Sequence, residues 1–273
     1  MSLWLAAVVA VVVTAAAVGA MLLMRRHAPA GGYFEDGDRA AGVFGVIATG
    51  FAVLAGFVVF LAFESFDTSR SGAETEARTV AQQFETAQFL PDAMRTRVSG
   101  ELVCYARAVV HREWPRMQSG TLGEAPNPWG VAVFRSLGTA EPRSPSEQAA
   151  FSKYLDQRAD RETARGDRIH GAEGVIPTAL WAVLFVSAAA VFVFLLMFAD
   201  SGERAAVQGV MMGGAILVVT SLLLVLSFLD NPYRDSGSGL QPVAMEHTLD
   251  LLADEARIVG GVDVPCDRRG FAR

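Results

Sequence analysis

Four stretches of the chain, residues 3–24, 40–63, 175–199 and 205–229, contain no Asp, Glu, Lys or Arg. They are 22, 24, 25 and 25 residues long, and about 20 helical residues suffice to cross the roughly 30 Å hydrocarbon core of a bilayer. Backbone N–H and C=O groups in lipid must pair within their own segment, so each stretch is predicted to be a transmembrane helix. A cleaved secretory signal fits the first stretch poorly. Its basic residues, Arg25 and Arg26, follow the apolar run instead of preceding it, the reverse of a signal peptide's charged leader.

The pattern changes after the second span. Segment 64–174 carries 14 basic and 16 acidic side chains, which makes it a solvated region. Phe66, Ala73, Ala77, Val80, Phe84 and Ala87 recur at steps of 7, 4, 3, 4 and 3, so the second helix is expected to continue out of the membrane as an amphipathic rod. Pro91 suits the first turn of a new helix, with a second stripe through Met94, Val98, Leu102, Tyr105 and Val109 that ends near Trp114 and Met117. Residues 120–142 read as loop. Ser144-Pro145-Ser146-Glu147 reads as a capping box with Pro at the first helical position, so a third helix starts there and becomes very polar from Gln157 to His170. The tail, 230–273, shows one helical stretch around 243–259. The predicted fold is therefore all-α: a polytopic membrane protein with four transmembrane helices and a helical extramembrane region between helices 2 and 3. Its parts are 1–63, transmembrane helices 1 and 2; 64–174, the helical extramembrane segment; 175–229, transmembrane helices 3 and 4; and 230–273, an extramembrane tail.

Composition agrees with this division and narrows the chemistry. Hydrophobic residues make up 52% of the chain and charged residues 19%, with a mean hydropathy of +0.32. The net charge of -6 excludes a nucleic-acid partner held by a basic face. No ionisable residue lies inside any span, whereas ion-coupled transporters and intramembrane enzymes need them there. No phosphate loop, dinucleotide fingerprint, nucleophile elbow or zinc-protease motif is present. No catalytic residue, cofactor or metal site is expected, and the chain is not expected to be an enzyme.

An even number of spans places the N-terminus, the 64–174 segment and the tail on one side of the membrane. Cys104 and Cys266 both lie on that side: an exoplasmic location permits a disulfide between them, and a cytosolic one leaves two thiols. Arg25, Arg26 and Arg39 in the short loop favour a cytosolic loop, and thus an exoplasmic large segment. Arg70, Arg78, Arg161, Arg165 and Arg168 beside the spans argue the other way, but long segments count for less in this rule.

The second span has the most ordered pattern. Gly42, Gly45, Thr49, Ala52 and Gly56 fall at steps of 3, 4, 3 and 4, forming a face of small residues that continues towards Phe63. One reading is close helix packing. The other places this helix around an axial pore, with Thr49, Ala52, Gly56, Phe60 and Phe63 lining it and aromatic rings that gate by dewetting. Phe57, Phe60 and Phe63 spiral around the helix, so not all three can face one axis.

Two spans, an amphipathic segment with YARAVVHREWPRM at 105–117, two further spans and LDNPYRDSGSGLQP at 229–242 together resemble a bacterial domain family called bestrophin-like. The most specific pieces are Tyr105, Ala106, Arg107, Glu113, Trp114 and Pro115 in the first motif and Leu229, Asp230, Pro232 and Gly239 in the second. The family usually has His-Pro-Phe and then Ser-Pro where this chain has Asn231-Pro232-Tyr233 and Gln241-Pro242. The resemblance implies a homo-oligomer, expected to be a pentamer, in a bacterial cell membrane, with the second helix lining a pore that passes small ions, anions in particular. It also implies a cytosolic large segment, contrary to the charge count. The acidic cluster that binds calcium in animal bestrophins has no match, so no calcium dependence is expected. The alternative is a non-conducting membrane scaffold or sensor that acts through its extramembrane helices.

Overall fold

The computed structural model describes residues 3–121, 125–139, 141–234, 239–260 and 262–273. Its helices are α1 (Leu3–Arg25), α2 (Gly37–Ala87), α3 (Asp92–Ala108), a π-helical segment (Val109–Glu113), α4 (Trp114–Gln118), α5 (Pro128–Leu137), α6 (Pro145–His170), α7 (Thr178–Met197), α8 (Ala205–Leu229) and α9 (Val243–Val259). Helices α1, α7, α8 and the first part of α2 are long and apolar enough to cross a membrane. The chain divides into two compact units, one made of Met1–Glu64 with Val175–Asp230, the other mainly of Ser65–Gly174 with Gly239–Arg273.

In the first unit α8 packs on α1. A Cβ built at Gly213 would stand 3.4 Å from Val18 and 3.5 Å from Thr14, so the glycine lets the two backbones approach closely. At one end Arg25 clasps the α7–α8 turn, donating to the carbonyls of Asp200 (2.9 Å), Ser201 (3.1 Å) and Glu203. Asp200 in turn accepts from the Gly31 N–H at 2.9 Å. Helix α7 begins three residues after the apolar run does, because Pro177 holds an extended backbone (φ -56, ψ 142) and serves as the N-cap. Most apolar side chains of these helices remain exposed, Val46, Val210 and Trp4 among them. Such a surface needs lipid or neighbouring protein around it.

The second unit has the larger core, with Val80, Phe84, Val98, Leu102, Tyr105, Val109, Val133, Tyr154 and Leu252 all buried. The predicted stripes on α2 and α3 supply much of it. The capping box at Ser144 forms, with Glu147 N–H donating to Ser144 Oγ at 3.2 Å and Ser144 N–H to the Glu147 carboxylate at 3.1 Å. Residues 120–142 are not all loop: α5 runs through them. Asn127 caps it by accepting from the Trp129 N–H at 3.0 Å, Pro128 fills the first turn, and Trp129, Val133 and Leu137 point inward at helical spacing. The polar end of α6 also departs from expectation. Gln157, Arg161, Arg165 and Arg168 are buried; Arg161 and Arg168 reach buried polar residues of α2, Gln83 and Glu76, while Arg165 reaches Glu113. Of the turn back towards the bilayer that Ser236, Gly237, Ser238 and Gly239 predict after α8, residues 236–238 lie outside the described residues.

Candidate functional site

Helix α2 presents two different faces inside the first unit. Phe51, Ala55, Val58 and Ala62 are buried within the unit, between 0% and 4% exposed. Thr49, Ala52, Gly56, Phe60 and Phe63 lie on the other side, and a Cβ built at Gly56 would meet nothing within 4 Å. At 3.6 residues per turn these five fall within an arc of about 80°. The small residues of this face therefore do not serve packing within the chain. Phe57, also exposed, lies off that arc, as its spacing requires.

The first sequence motif folds into an ionic core in the second unit. Arg168 of α6, fully buried, donates through Nε and Nη2 to the Glu76 carboxylate of α2 and through Nη2 to Glu113 Oε2 at 2.5 Å. Arg165 donates to Glu113 Oε1 at 3.2 Å. Tyr105 completes the set by donating its hydroxyl to Glu76 Oε1 at 2.5 Å. Beyond it Arg161 stacks on the Tyr105 ring, 4.6 Å from its centroid, and donates to Gln83 at 2.9 Å.

Glu113 reaches this core from the π-helical segment. The Trp114 N–H there donates to Val109 O, five residues back. The next residue, Pro115, has no N–H and clashes with a regular turn before it, and the wider turn accommodates both defects. Burial pushes the Glu113 carboxyl up, but Arg168 and Arg165 outweigh burial and hold it below the usual carboxylate range. Burial and the neighbouring Glu76 push the Tyr105 hydroxyl well above its ordinary value, so it stays a donor. Glu101 contrasts with Glu113. Burial raises its carboxyl, and its closest help is the Ser136 hydroxyl, which donates to it at 2.8 Å.

The second motif meets the first. Trp114 donates its indole N–H to Leu240 O at 3.2 Å and packs edge-on against Tyr233, centroids 5.3 Å apart. Tyr233 donates its hydroxyl to Arg168 O. Leu240 N–H donates to Pro232 O at 2.8 Å, and a Cβ on Gly239 would fall 2.7 Å from Arg234 O, so this loop has no room for a side chain there. Asp230 lies in the other unit and ties the end of α8 to the start of α7. Its carboxylate accepts from the N–H groups of Val175 (2.8 Å) and Ile176 (2.7 Å) and from the Trp181 indole (3.2 Å). Arg107 donates to Asp267 O at 3.2 Å in the C-terminal segment. Cys104 and Cys266 are joined as a disulfide, Cα atoms 5.8 Å apart.

Glu76, Gln83, Arg161, Arg165 and Arg168 went unnoticed as core residues in the sequence. A signal was present: Ser69, Gly72, Glu76, Thr79 and Gln83 recur at steps of 3, 4, 3 and 4 and are all buried. Periodicity searches weigh apolar positions and pass over such a line. Among the described residues no three of His, Cys, Asp or Glu gather where they could hold a metal ion.

The fold and these motifs define an all-helical, four-span membrane protein whose extramembrane helices are locked by buried ion pairs. The bestrophin-like domain model matches residues 11–238, and the chain belongs to that family. Solved structures share the fold. A point variant of a bacterial bestrophin homologue from Klebsiella pneumoniae superposes with a TM-score of 0.69 at 12% identity, covering 90% of this chain and 98% of that one. Another structure of the Klebsiella pneumoniae homologue gives 0.66 at 12% identity over 93% and 98%, and a further variant 0.67 at 15% over 92% and 97%. No curated protein sequence matches the chain.

Proposed function

We propose that this chain assembles into a homopentameric anion channel with α2 lining the pore. The observation that supports the reading is the narrow arc of Thr49, Ala52, Gly56, Phe60 and Phe63, set apart from the residues that hold α2 in its own unit. Small residues on that arc leave width for an ion, and the rings of Phe60 and Phe63 form an apolar constriction beyond them, able to gate by dewetting. No Asp or Glu lies inside any span, so no acidic ring repels anions along the membrane path. No step of bond-making chemistry is assigned to the protein.

The second unit faces the exoplasmic side in this reading. The disulfide favours an oxidising compartment, and the arginines of the short α1–α2 loop favour a cytosolic position for that loop. The family resemblance argues for a cytosolic unit, and the disulfide outweighs it because it is a feature of this chain.

Chloride efflux from liposomes carrying the purified protein tests the proposal, with sodium efflux as control and Phe60→Ala beside the wild type. Chloride efflux that changes in Phe60→Ala supports a channel with α2 at its pore. Absence of both fluxes from folded, oligomeric protein refutes conduction and favours a scaffold acting through its extramembrane helices.

A further inference from the structure

Residues 262–273 lie along α3, the π-helical segment and α5, where three side chains grip them through main-chain carbonyls. Arg107 donates to Asp267 O (3.2 Å), Arg112 to Gly270 O (3.3 Å) and the Trp129 indole to Gly270 O (2.8 Å). The segment is folded on itself by Asp267, whose carboxylate accepts from the Arg269 and Phe271 N–H groups at 2.8 Å each. Two glycines set the fit. A Cβ on Gly100 of α3 would overlap Asp263 O, and one on Gly270 would fall 2.7 Å from Ala108 N.

Apolar burial of this segment is partial, with Val262 and Val264 packed part-buried against the core of the unit. Phe271 is half-exposed under Arg112, and among the described residues of 262–273 Cys266 is the one fully buried side chain. Its partner Cys104 is equally inaccessible. The segment also follows a break in the helix: α9 ends at Gly260, which takes φ +67, a left-handed conformation that suits glycine.

We propose that residues 262–273 form a strap that thiol oxidation bolts onto α3, so that this unit matures by an oxidative step and stays closed afterwards. This rests on the exoplasmic placement given above. The two thiols of Cys104 and Cys266 become one disulfide, while their two electrons and two protons pass to the disulfide of an oxidising dithiol protein, which leaves as a dithiol. Once the strap is seated, neither sulfur is open to attack by a thiolate, so closure runs one way. Before oxidation the carbonyl contacts, the Arg112–Phe271 stacking and the part-buried Val262 and Val264 hold the strap without a covalent link, and it exchanges between bound and free.

Full-length protein extracted from membranes tests this in two readings. Thiols counted in denaturant with a maleimide-linked polymer should number none before reduction and two after it; two adducts without reduction would overturn the proposal. Hydrogen exchange of the 262–273 amides should be at least about tenfold faster in Cys266→Ser than in the wild type. It should also quicken in Gly100→Ala, which keeps both cysteines and displaces the strap by contact alone. Exchange in α6 serves as the folding control, and wild-type protein produced without a thiol oxidase gives the same comparison with no substitution. Equal protection of the strap with and without the disulfide would refute the bolt. Absence of ion flux leaves the thiol count and the exchange rates untouched, so failure of the channel reading is separable from failure of this one.

Discussion

Replacing Arg168 by methionine isolates the ionic core. Methionine is close to arginine in volume though two atoms shorter, and it leaves without a donor the Met117 sulfur that accepts from Arg168 Nη1 at 3.4 Å. Steric change is therefore small and the loss is electrostatic. Glu76, 0% exposed, would keep only the Tyr105 hydroxyl, while Glu113 would keep Arg165. Breaking a buried pair by removing one partner costs about 3–5 kcal/mol, because the other charge stays buried without compensation. At about 2–4 °C per kcal/mol for a domain of this size, the melting temperature should fall by about 6–20 °C. Glu76→Gln combined with Arg168→Met removes the stranded charge and leaves an amide that still accepts from Tyr105. The double variant should be more stable than the sum of the two single losses predicts, by at least about 1 kcal/mol. Thermal unfolding of all four proteins in one detergent measures the cycle. Additivity within about 0.5 kcal/mol, or a loss under about 1 kcal/mol for Arg168→Met alone, would refute the assignment.

Further predictions concern single contacts. Glu101 has a raised carboxyl, so its stability contribution is full below the unfolded value of about 4.3 and is lost as pH rises through the folded one. Glu101→Gln should therefore melt above the wild type at pH 7 and lose that advantage near pH 4. Glu113 has the opposite sign: its folded carboxyl is depressed, so the stability it supplies is present above about 4.3 and is lost as pH falls below it. Glu113→Gln should flatten the acid limb of the melting-temperature profile. Asp230→Ala frees the Val175 and Ile176 N–H groups and the Trp181 indole, and should cost at least about 1.5 kcal/mol, seen as a lower melting temperature in detergent. Trp114→Phe keeps an aromatic ring but leaves Leu240 O without its donor; a loss of about 1–3 kcal/mol is expected in the same assay, and Trp114→Ala should lose more.

The path from sequence to fold was legible where one segment decides its own structure. The stripe Ala77, Val80, Phe84 and Ala87 and the stripe Met94, Val98, Leu102, Tyr105 and Val109 are buried as their spacing requires. The Ser144 box and the 243–259 helix also stand where the local signals put them. Helix α5 was hidden because Pro126, Pro128 and nearby glycines read as loop, although Asn127 followed by Pro128 is a helix start. The motif residues were legible as a resemblance, but not their contacts: nothing local joins Trp114 to Leu240 or Glu113 to Arg168.

The sequence by itself determined the four membrane spans and the amphipathic continuation of α2. Lipid offers no hydrogen bonds, so a charge-free run of sufficient length must become a helix whatever surrounds it. Only the tertiary structure decided which charges are buried. A guanidinium leaves water only when carboxylates and hydroxyls converge on it, and for Arg168 these come from Glu76 and Glu113, 92 and 55 residues away along the chain. The strap is likewise a product of the fold, since Cys266 meets Cys104 across a separation of 162 residues.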